Sequence, residues 1–255
     1  MVRRRISKAA RLAPLLAVGG LDPSGHAGVL ADVRVFGRLG LECRVALSAV
    51  TAQSETEFLA WKPVPPSLFR AQLEAAGGRI LGVKVGMLGT PAHLAALLQW
   101  LRRRRPRLVV WDPVLRSSTG ARLFRGKAGD PNLARLLRLC DAFTPNLPEA
   151  EWFLKTRLAG EARMEAAAKA LFDGGKKPGR VVVLKGGHAA DPKTAIDWVR
   201  TEKQSLALRA PRRPGSRRGS GCTFASALLA ALALGHNPIA AARFAKRHVL
   251  KNLFD

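Results

Sequence analysis

Short apolar runs alternate with amphipathic segments along almost the whole chain, and this alternation predicts its secondary structure. Continuous apolar runs such as 181–185 are typical of strands buried on both faces, whereas apolar residues spaced three and four apart indicate helices. The predicted strands are 15–19, 43–48, 83–88, 108–114, 141–144, 181–185, 194–199 and 205–210. The predicted helices are 28–39, 66–76, 91–104, 149–154, 160–172, 223–234 and 238–252.

The order of these elements predicts the fold class. Strands and helices alternate repeatedly, which is typical of a parallel sheet with helices on both faces, and the last two strands resemble an antiparallel hairpin. We expect one α/β domain over residues 13–255, preceded by a basic tail at 1–12, because no linker or internal repeat interrupts the pattern. Ligands of such sheets bind beyond the carboxyl ends of the strands.

Length and composition exclude several classes of protein. The chain has 255 residues, of which 47% are hydrophobic, and no apolar run reaches the ~20 residues of a membrane helix. Its three cysteines, Cys43, Cys140 and Cys222, are widely spaced and odd in number, which argues against a disulfide framework and a zinc knuckle. We therefore expect a cytoplasmic protein without membrane contact.

The formal net charge of +25 favours anionic partners, including nucleic acid. Arginines cluster at 3–5, at 102–105 and around 212–218. However, the chain has no zinc-finger, RNA-recognition or basic-zipper signature, and with 6% aromatic residues and no tyrosine it has few side chains to stack on bases. We interpret the charge as a coat on the solvent face and do not expect nucleic acid as the partner.

The segment 218–224 reads RGSGCTF and leads directly into an Ala- and Leu-rich helix. Glycines allow close approach of the backbone, first-turn amides lack helical partners, and the helix dipole favours an anion. Gly219, Ser220 and Gly221 therefore predict a cradle for a phosphate group. Cys222 falls in the first helical turn, where the pKa of a thiol is lowered toward neutrality, so it is a candidate base. Gly-Ser-Gly also occurs in ordinary loops, so this motif indicates a phosphate-binding loop only together with motifs elsewhere in the chain.

Polar motifs follow six of the predicted strands, at the edge where this fold class binds ligands. They contain Asp22, Gln53, Met87, Asp112, the 144–149 segment and Lys185. Individually, Asp-Pro and Asn-x-Pro sequences are turn formers. Six polar motifs at successive strand ends, followed by the glycine loop at 219–221, indicate one shared site rather than independent turns.

Together these motifs resemble the hydroxymethylpyrimidine/phosphomethylpyrimidine kinases of thiamine biosynthesis, within the ribokinase-like superfamily. The resemblance runs from about residue 15 to residue 252. Its carriers are Asp22-Pro23-Ser24-Gly25, Ala27-Gly28, Gln53, 84–88, Asp112-Pro113-Val114, 144–150, 184–188, Asp197-Trp198 and 219–223. The resemblance implies a three-layer α/β/α sandwich with a mostly parallel central sheet. It also implies an ATP- and Mg²⁺-dependent kinase. We expect the chain to form a homodimer.

The resemblance assigns Gln53, Asp22, Met87 and Val114 to the substrate. An amide such as that of Gln53 donates and accepts hydrogen bonds toward the aminopyrimidine edge, and Met87 and Val114 would form apolar walls. Without the resemblance, Gln53 would be a loop residue, Asp22 a helix cap, and the two apolar residues ordinary core. His26 is interpreted as a surface residue.

The resemblance gives the remaining site residues roles in nucleotide binding, metal binding, phosphoryl stabilisation and general-base catalysis. Lys185, Asn146, Thr144 and Ser220 would bind the nucleotide. Asp112 and Glu149 would hold Mg²⁺, which uses few protein carboxylates when phosphates supply the other ligands. The loop amides of Gly219 and Gly221 would neutralise the transferring phosphoryl group, and Cys222 would accept the proton of the substrate hydroxymethyl group.

Three departures from the family pattern concern the substrate loops. Leu21 replaces a small hydroxyl residue, His26 replaces glycine, and 116–119 lacks the usual lysine, for which Arg116 is a candidate replacement. The function predicted is ATP-dependent phosphorylation of 4-amino-5-hydroxymethyl-2-methylpyrimidine and its monophosphate. The alternatives are a pyridoxal kinase of the same fold and a non-catalytic, polyanion-binding or regulatory protein on a kinase-like fold.

Overall fold

The computed structural model describes residues 13–54, 56–117, 119–175, 177–187, 193–213 and 218–254. The predicted basic tail and the motif residues Ser118, His188 and Arg217 lie outside the described residues. The strands are β1 (Leu15–Leu21), β2 (Cys43–Gln53), β3 (Phe58–Pro63), β4 (Gly82–Val85), β5 (Leu108–Trp111), β6 (Ala142–Phe143), β7 (Val181–Lys185), β8 (Thr194–Thr201) and β9 (Ser205–Pro211). The helices are α1 (Gly28–Arg38), α2 (Pro66–Ala75), α3 (Pro91–Arg104), α4 (Pro131–Leu139), α5 (Leu147–Leu154), α6 (Glu161–Asp173), α7 (Ser220–Ala233) and α8 (Pro238–Leu253).

All these strands belong to one sheet, in the order β3-β2-β1-β4-β5-β6-β7-β8-β9. The six strands from β2 to β7 in this order are parallel, while β3 at one edge and β8 and β9 at the other pair antiparallel. The predicted hairpin of the last two strands is therefore confirmed. The carboxyl ends of the parallel strands all lie at the same end of the sheet, and the loops that follow these strands meet there.

Both faces of the sheet are covered, as β1 illustrates. Leu16 and Val18 pack into a core that includes side chains of α2 to α6, whereas Leu15 and Ala17 pack into a second core with α1, α7 and α8. Alternate residues of a strand point to opposite faces, so a strand buried on both sides must be apolar throughout. This arrangement confirms the predicted three-layer α/β/α sandwich.

The structure differs from the sequence prediction at two elements and several boundaries. Strand β3 and helix α4 were not predicted, and β2 continues five residues beyond its predicted end at Ser48. Strands β4 and β5 are shorter than predicted, because after Val85 and Trp111 the chain enters the loops that carry Gly86 and Asp112-Pro113. Across the described residues, every helix is too short or too polar to cross a membrane.

Candidate active site

A cavity of about 790 Å³ opens at the carboxyl ends of the parallel strands, between their loops and the start of α7. Nearly all residues predicted for the site line this cavity: Asp22, Gln53, Met87, Asp112, Val114, Asn146, Glu149, Lys185, Gly219, Ser220, Gly221 and Cys222. The carboxyl ends of the six central strands meet here because these strands run parallel to one another. The fold therefore brings together residues that are up to two hundred positions apart in sequence.

Gly219 is the N-cap of α7 and has a left-handed backbone, with φ of 76°. A Cβ atom at this position would lie 1.8 Å from the carbonyl oxygen of His26, so the glycine loop contacts the β1–α1 loop directly. Only glycine satisfies both conditions. Close contact between these loops fixes the amides at the start of α7 at the cavity.

Gly221 faces the polar end of the cavity. A Cβ atom there would lie 3.1 Å from Lys185 Nζ and 3.6 Å from Asp112 Oδ2. The first-turn amides of α7 therefore lie next to a cation and a carboxylate, which is an arrangement suited to a phosphate group with its counter-ion.

We predict that Gly219→Ala lowers kcat by about 10²-fold, because displaced loop amides no longer stabilise developing negative charge. Gly235→Ala is a matched control: Gly235 has φ of 88° and open space around its Cα, so its substitution adds only left-handed strain of about 1–2 kcal/mol. Steady-state rates and thermal unfolding of both variants check the prediction. If both variants lose stability while keeping the wild-type kcat, the loop amides have no part in the reaction.

Asp112, Lys185 and Glu149 form a cluster of ionisable side chains at the ends of β5 and β7 and the start of α5. Lys185 Nζ donates to Asp112 Oδ1 at 2.6 Å. Burial alone would lower the pKa of Lys185, but Asp112 and Glu149 raise it above its ordinary value. Lys185 is therefore a permanent cation at the polar end of the cavity.

Asn146 and Glu149 form a capping box at the start of α5. The backbone N–H of Glu149 donates to the Asn146 side-chain Oδ1 at 2.9 Å, and the backbone N–H of Asn146 donates to the Glu149 side-chain Oε2 at 2.8 Å. Burial raises the pKa of Glu149 to about 8, although Lys185 acts in the opposite direction. The Glu149 carboxyl group is thus mostly protonated at neutral pH and would ionise beside an additional cation.

Thr144 differs from the other predicted site residues. It is fully buried, and it is not one of the residues that line the cavity. Its hydroxyl donates to the Trp111 carbonyl oxygen at 3.4 Å or to Asp112 Oδ1 at 3.3 Å. The structure thus places Thr144 behind Asp112, with its hydroxyl group within hydrogen-bond distance of the carboxylate.

Cys222 lies in the first turn of α7, as expected, but its thiol is buried. Burial raises the pKa of its thiol to about 11, although the Lys84 ammonium group favours the thiolate. The expectation of a pKa near neutrality is therefore wrong, because loss of hydration outweighs the helix terminus. The thiol is protonated at neutral pH in the absence of substrate.

Lys84 is a site residue that sequence analysis missed. It lines the cavity, and its fully buried Nζ donates to Asp32 Oδ2 at 3.0 Å. Ser226, one turn after Cys222 on α7, donates to the other oxygen of Asp32 at 2.8 Å. A lysine within the otherwise apolar strand β4 was the available signal, since a buried charge needs a partner.

Asp22 organises the loop between β1 and α1. Its carboxylate oxygens accept hydrogen bonds from the amides of Ser24 and Ala27, at 3.0 and 2.9 Å, and from the Ser24 hydroxyl at 2.7 Å. The side chain of His26 is exposed, as expected. The structure therefore gives Asp22 a role in shaping the loop, alongside its position on the cavity.

Another part of the cavity has apolar walls. Met87 and Val114 are joined there by Phe58, Leu123 and Phe124, which sequence analysis missed because they lie outside the predicted elements. These side chains form the kind of surface on which an aromatic ring packs.

Gln53 lies at the end of β2, and its Oε1 accepts a hydrogen bond from Arg218. Arg116, the candidate replacement for the lysine of the family pattern, also lines the cavity. However, its guanidinium group donates to the Gly120 carbonyl oxygen at 2.9 Å. Arg116 is thus held within its own loop.

The donor set at the polar end fits a magnesium ion bound with phosphate. Asp112 and Glu149 are buried carboxylates whose mutual repulsion contributes to the raised pKa of Glu149, and a divalent cation would relieve it. Within the described ranges, no group of three or more His, Cys, Asp and Glu side chains is suited to a metal ion. Two carboxylates suffice for magnesium when phosphate oxygens and water complete its shell.

The chain is similar to known kinases over nearly its whole length. Residues 22–255 match the family described as phosphomethylpyrimidine kinase. A hydroxymethylpyrimidine/phosphomethylpyrimidine kinase of Haemophilus influenzae is 34% identical over 238 residues, covering 91% of this chain and 87% of the relative. The structure of a Clostridium difficile phosphomethylpyrimidine kinase matches with a TM-score of 0.80 at 27% identity, covering 94% and 99% of the two chains. A Staphylococcus aureus pyridoxal kinase in complex with ADP matches with a TM-score of 0.84 at 29% identity, covering 95% and 88%.

Proposed function

Because the chain belongs to the phosphomethylpyrimidine kinase family, we propose that it transfers the γ-phosphoryl group of ATP to 4-amino-5-hydroxymethyl-2-methylpyrimidine and to its monophosphate. The family is one of phosphotransferases, so the chain is an enzyme, and the predicted family is confirmed. The observation that carries the proposal is the juxtaposition of the glycine loop and Cys222 with Lys185 and Asp112.

In this proposal the aminopyrimidine ring lies against the apolar wall that contains Met87 and Val114, with Gln53 at its polar edge. The substrate hydroxymethyl group then points to the start of α7, where Cys222 accepts its proton as oxygen attacks phosphorus. Because the thiol carries a proton before substrate binds, it first loses that proton to solvent, an ionisation that the Lys84 ammonium group favours. The resulting thiolate, whose pKa is about 11, is a strong base for the proton of an alcohol.

The nucleotide phosphates lie at the polar end of the cavity. The amides of Gly219, Ser220 and Gly221 and the Lys185 ammonium group stabilise the charge on the transferring phosphoryl. Asn146 stays bonded to Glu149 and shapes the start of α5, and Thr144 holds Asp112. Asp112 and Glu149 would hold magnesium, which would neutralise phosphate charge when bound.

We predict that binding of Mg²⁺·ATP at pH 7 releases a proton from Glu149. The pKa of Glu149 is about 8 without metal, and a cation beside the carboxylate lowers it, so the group is protonated before binding and ionised after. Calorimetric titrations in two buffers of different ionisation enthalpy measure this release, which should decline between pH 7 and pH 9. Glu149→Gln should release no proton at this position when Mg²⁺·ATP binds. An enthalpy that is independent of the buffer in the wild type would contradict the assignment.

Turnover of defined substrates tests the function. ATP is supplied with the pyrimidine alcohol, with its monophosphate or with pyridoxal, and ADP formation is measured. We expect higher kcat/KM with the two pyrimidines than with pyridoxal. Pyridoxal as the better substrate would favour the alternative suggested by the pyridoxal kinase structures. Absence of turnover with salt-sensitive binding of duplex DNA would support the non-catalytic alternative.

We further propose a cytoplasmic homodimer. Its support is the three free cysteines, which suit a reducing compartment, and the exposed apolar side chains of Val50 and Leu59, which are 47% and 66% accessible. Light scattering of the purified protein should give twice the chain mass, and Leu59→Asp should give the single mass. A wild-type monomer at micromolar concentration would overturn the homodimer.

A further inference from the structure

Arg218 joins two parts of the cavity that the proposed function treats separately. It directly precedes Gly219 of the phosphate cradle, and its guanidinium group extends to the end of β2. There it donates one hydrogen bond to the Ser54 carbonyl oxygen and another to Gln53 Oε1. Both Arg218 and Gln53 line the cavity.

These contacts determine how Gln53 is presented to a ring. A glutamine amide has an acceptor end and a donor end of nearly equal shape, so an unrestrained side chain can offer either. A guanidinium group only donates, and it therefore selects the Oε1 end of Gln53. Nε2 is left as the donor for a ring in the cavity.

The backbone around Arg218 makes this restraint firm. Gly219 is in contact with the His26 carbonyl oxygen, so the start of the glycine loop cannot move toward the β1–α1 loop. The planar fork of Arg218 bridges two acceptors on adjacent residues, whereas a lysine would reach only one of them at a time.

We propose that Arg218 is a positioning residue that fixes the Gln53 amide with its donor end toward the substrate, and so favours an aza-aromatic ring with an acceptor nitrogen at that edge. The inference rests on the proposed function, since it assumes that Gln53 meets the ring. It assigns to Arg218 a part in ring recognition and no direct part in phosphoryl transfer.

Kinetics of Arg218→Gln and Arg218→Lys test the inference, using whichever ring alcohol the wild type turns over best. We expect Arg218→Gln to raise the KM for the ring alcohol about tenfold, the size expected for losing a charge-assisted hydrogen bond, with the KM for ATP unchanged. Arg218→Lys should fall between this variant and the wild type. Arg104→Gln makes the same charge change at the end of α3 and should leave both KM values unchanged.

A double-mutant cycle with Gln53→Ala separates positioning from a general structural role. If Arg218 acts through Gln53, then Arg218→Gln has no further effect on the ring KM in the Gln53→Ala background. The inference would be overturned if Arg218→Gln raised the KM for the ring alcohol by the same factor in both backgrounds. It would also be overturned if the KM for ATP rose as much as the KM for the ring alcohol. Thermal unfolding shows that each variant is folded.

The outcomes also separate this inference from the proposed function. A wild-type enzyme active on a ring alcohol, with Arg218→Gln kinetically identical to it, overturns the role of Arg218 alone. A wild-type enzyme inactive on the pyrimidines and on pyridoxal overturns both.

Discussion

Replacing Cys222 with alanine should lower kcat by about 10²–10⁴-fold while leaving ATP affinity close to that of the wild type. The substitution removes the thiolate that would accept the substrate proton, but it keeps the backbone amides of the glycine loop. Cys222→Asp should retain more activity than Cys222→Ala, because a carboxylate can take the same proton. Single-turnover rates and ATP binding, measured on each variant, check these expectations.

The pH dependence of the wild type provides a second test of Cys222. Burial raises the pKa of the thiol to about 11, so the fraction of thiolate increases throughout the alkaline range and reaches one half only near that pH. If the thiolate is the base, kcat/KM for the ring alcohol should rise through the alkaline range. This rise should be absent in Cys222→Asp, whose carboxylate is already ionised there.

Cys140→Ala is the matched control for Cys222→Ala. Cys140 is also fully buried, with a thiol that donates to the Leu136 carbonyl oxygen, but it lies just before β6, at the opposite end of the sheet. We expect Cys140→Ala to lower stability without changing kcat. Near-wild-type turnover in Cys222→Ala would show that Cys222 only fills space and that the loop amides and charges suffice.

The sequence predicted the sheet because its central strands are apolar on both faces. A run such as 181–185 has few alternatives once helices flank it on both sides. Strand β3 was missed because its exposed positions, including Leu59 and Lys62, give it no regular apolar pattern. Helix α4 was missed even though Asp130 caps it and Pro131 begins it. The whole helix is only nine residues long, which is too short for a clear periodic pattern.

The site could be predicted in position but not in detail. Strand-end motifs identified the cavity because parallel strands place their carboxyl ends together. The raised pKa of Cys222 could not be predicted, since it depends on how closely the surrounding residues exclude water. The contact between Arg218 and Gln53 joins residues 165 positions apart. Such a contact depends on side-chain conformations that spacing alone does not specify.

Replacing Asp112 with asparagine is the other change with a large expected effect. Asp112 is fully buried and accepts from Lys185 Nζ at 2.6 Å, so the substitution leaves the cation without its closest counter-charge. We expect kcat to fall by about 10²–10³-fold, because the charge arrangement at the transferring phosphoryl is lost. Unfolding free energy should fall by about 3–5 kcal/mol, the cost of breaking a buried ion pair. The Mg²⁺ concentration required for half-maximal rate should rise as well.

Asp141→Asn is the control that separates the chemical effect from the structural one. Asp141 also pairs with a lysine, since Lys177 Nζ lies 2.8 Å from its Oδ2, but it precedes β6 and therefore lies at the opposite edge of the sheet from Asp112. Asparagine there should reduce stability and leave both kcat and the Mg²⁺ requirement unchanged. If Asp112→Asn lost stability with an unchanged Mg²⁺ requirement, Asp112 would serve only to neutralise Lys185, and Glu149 would be the sole carboxylate left to hold the metal.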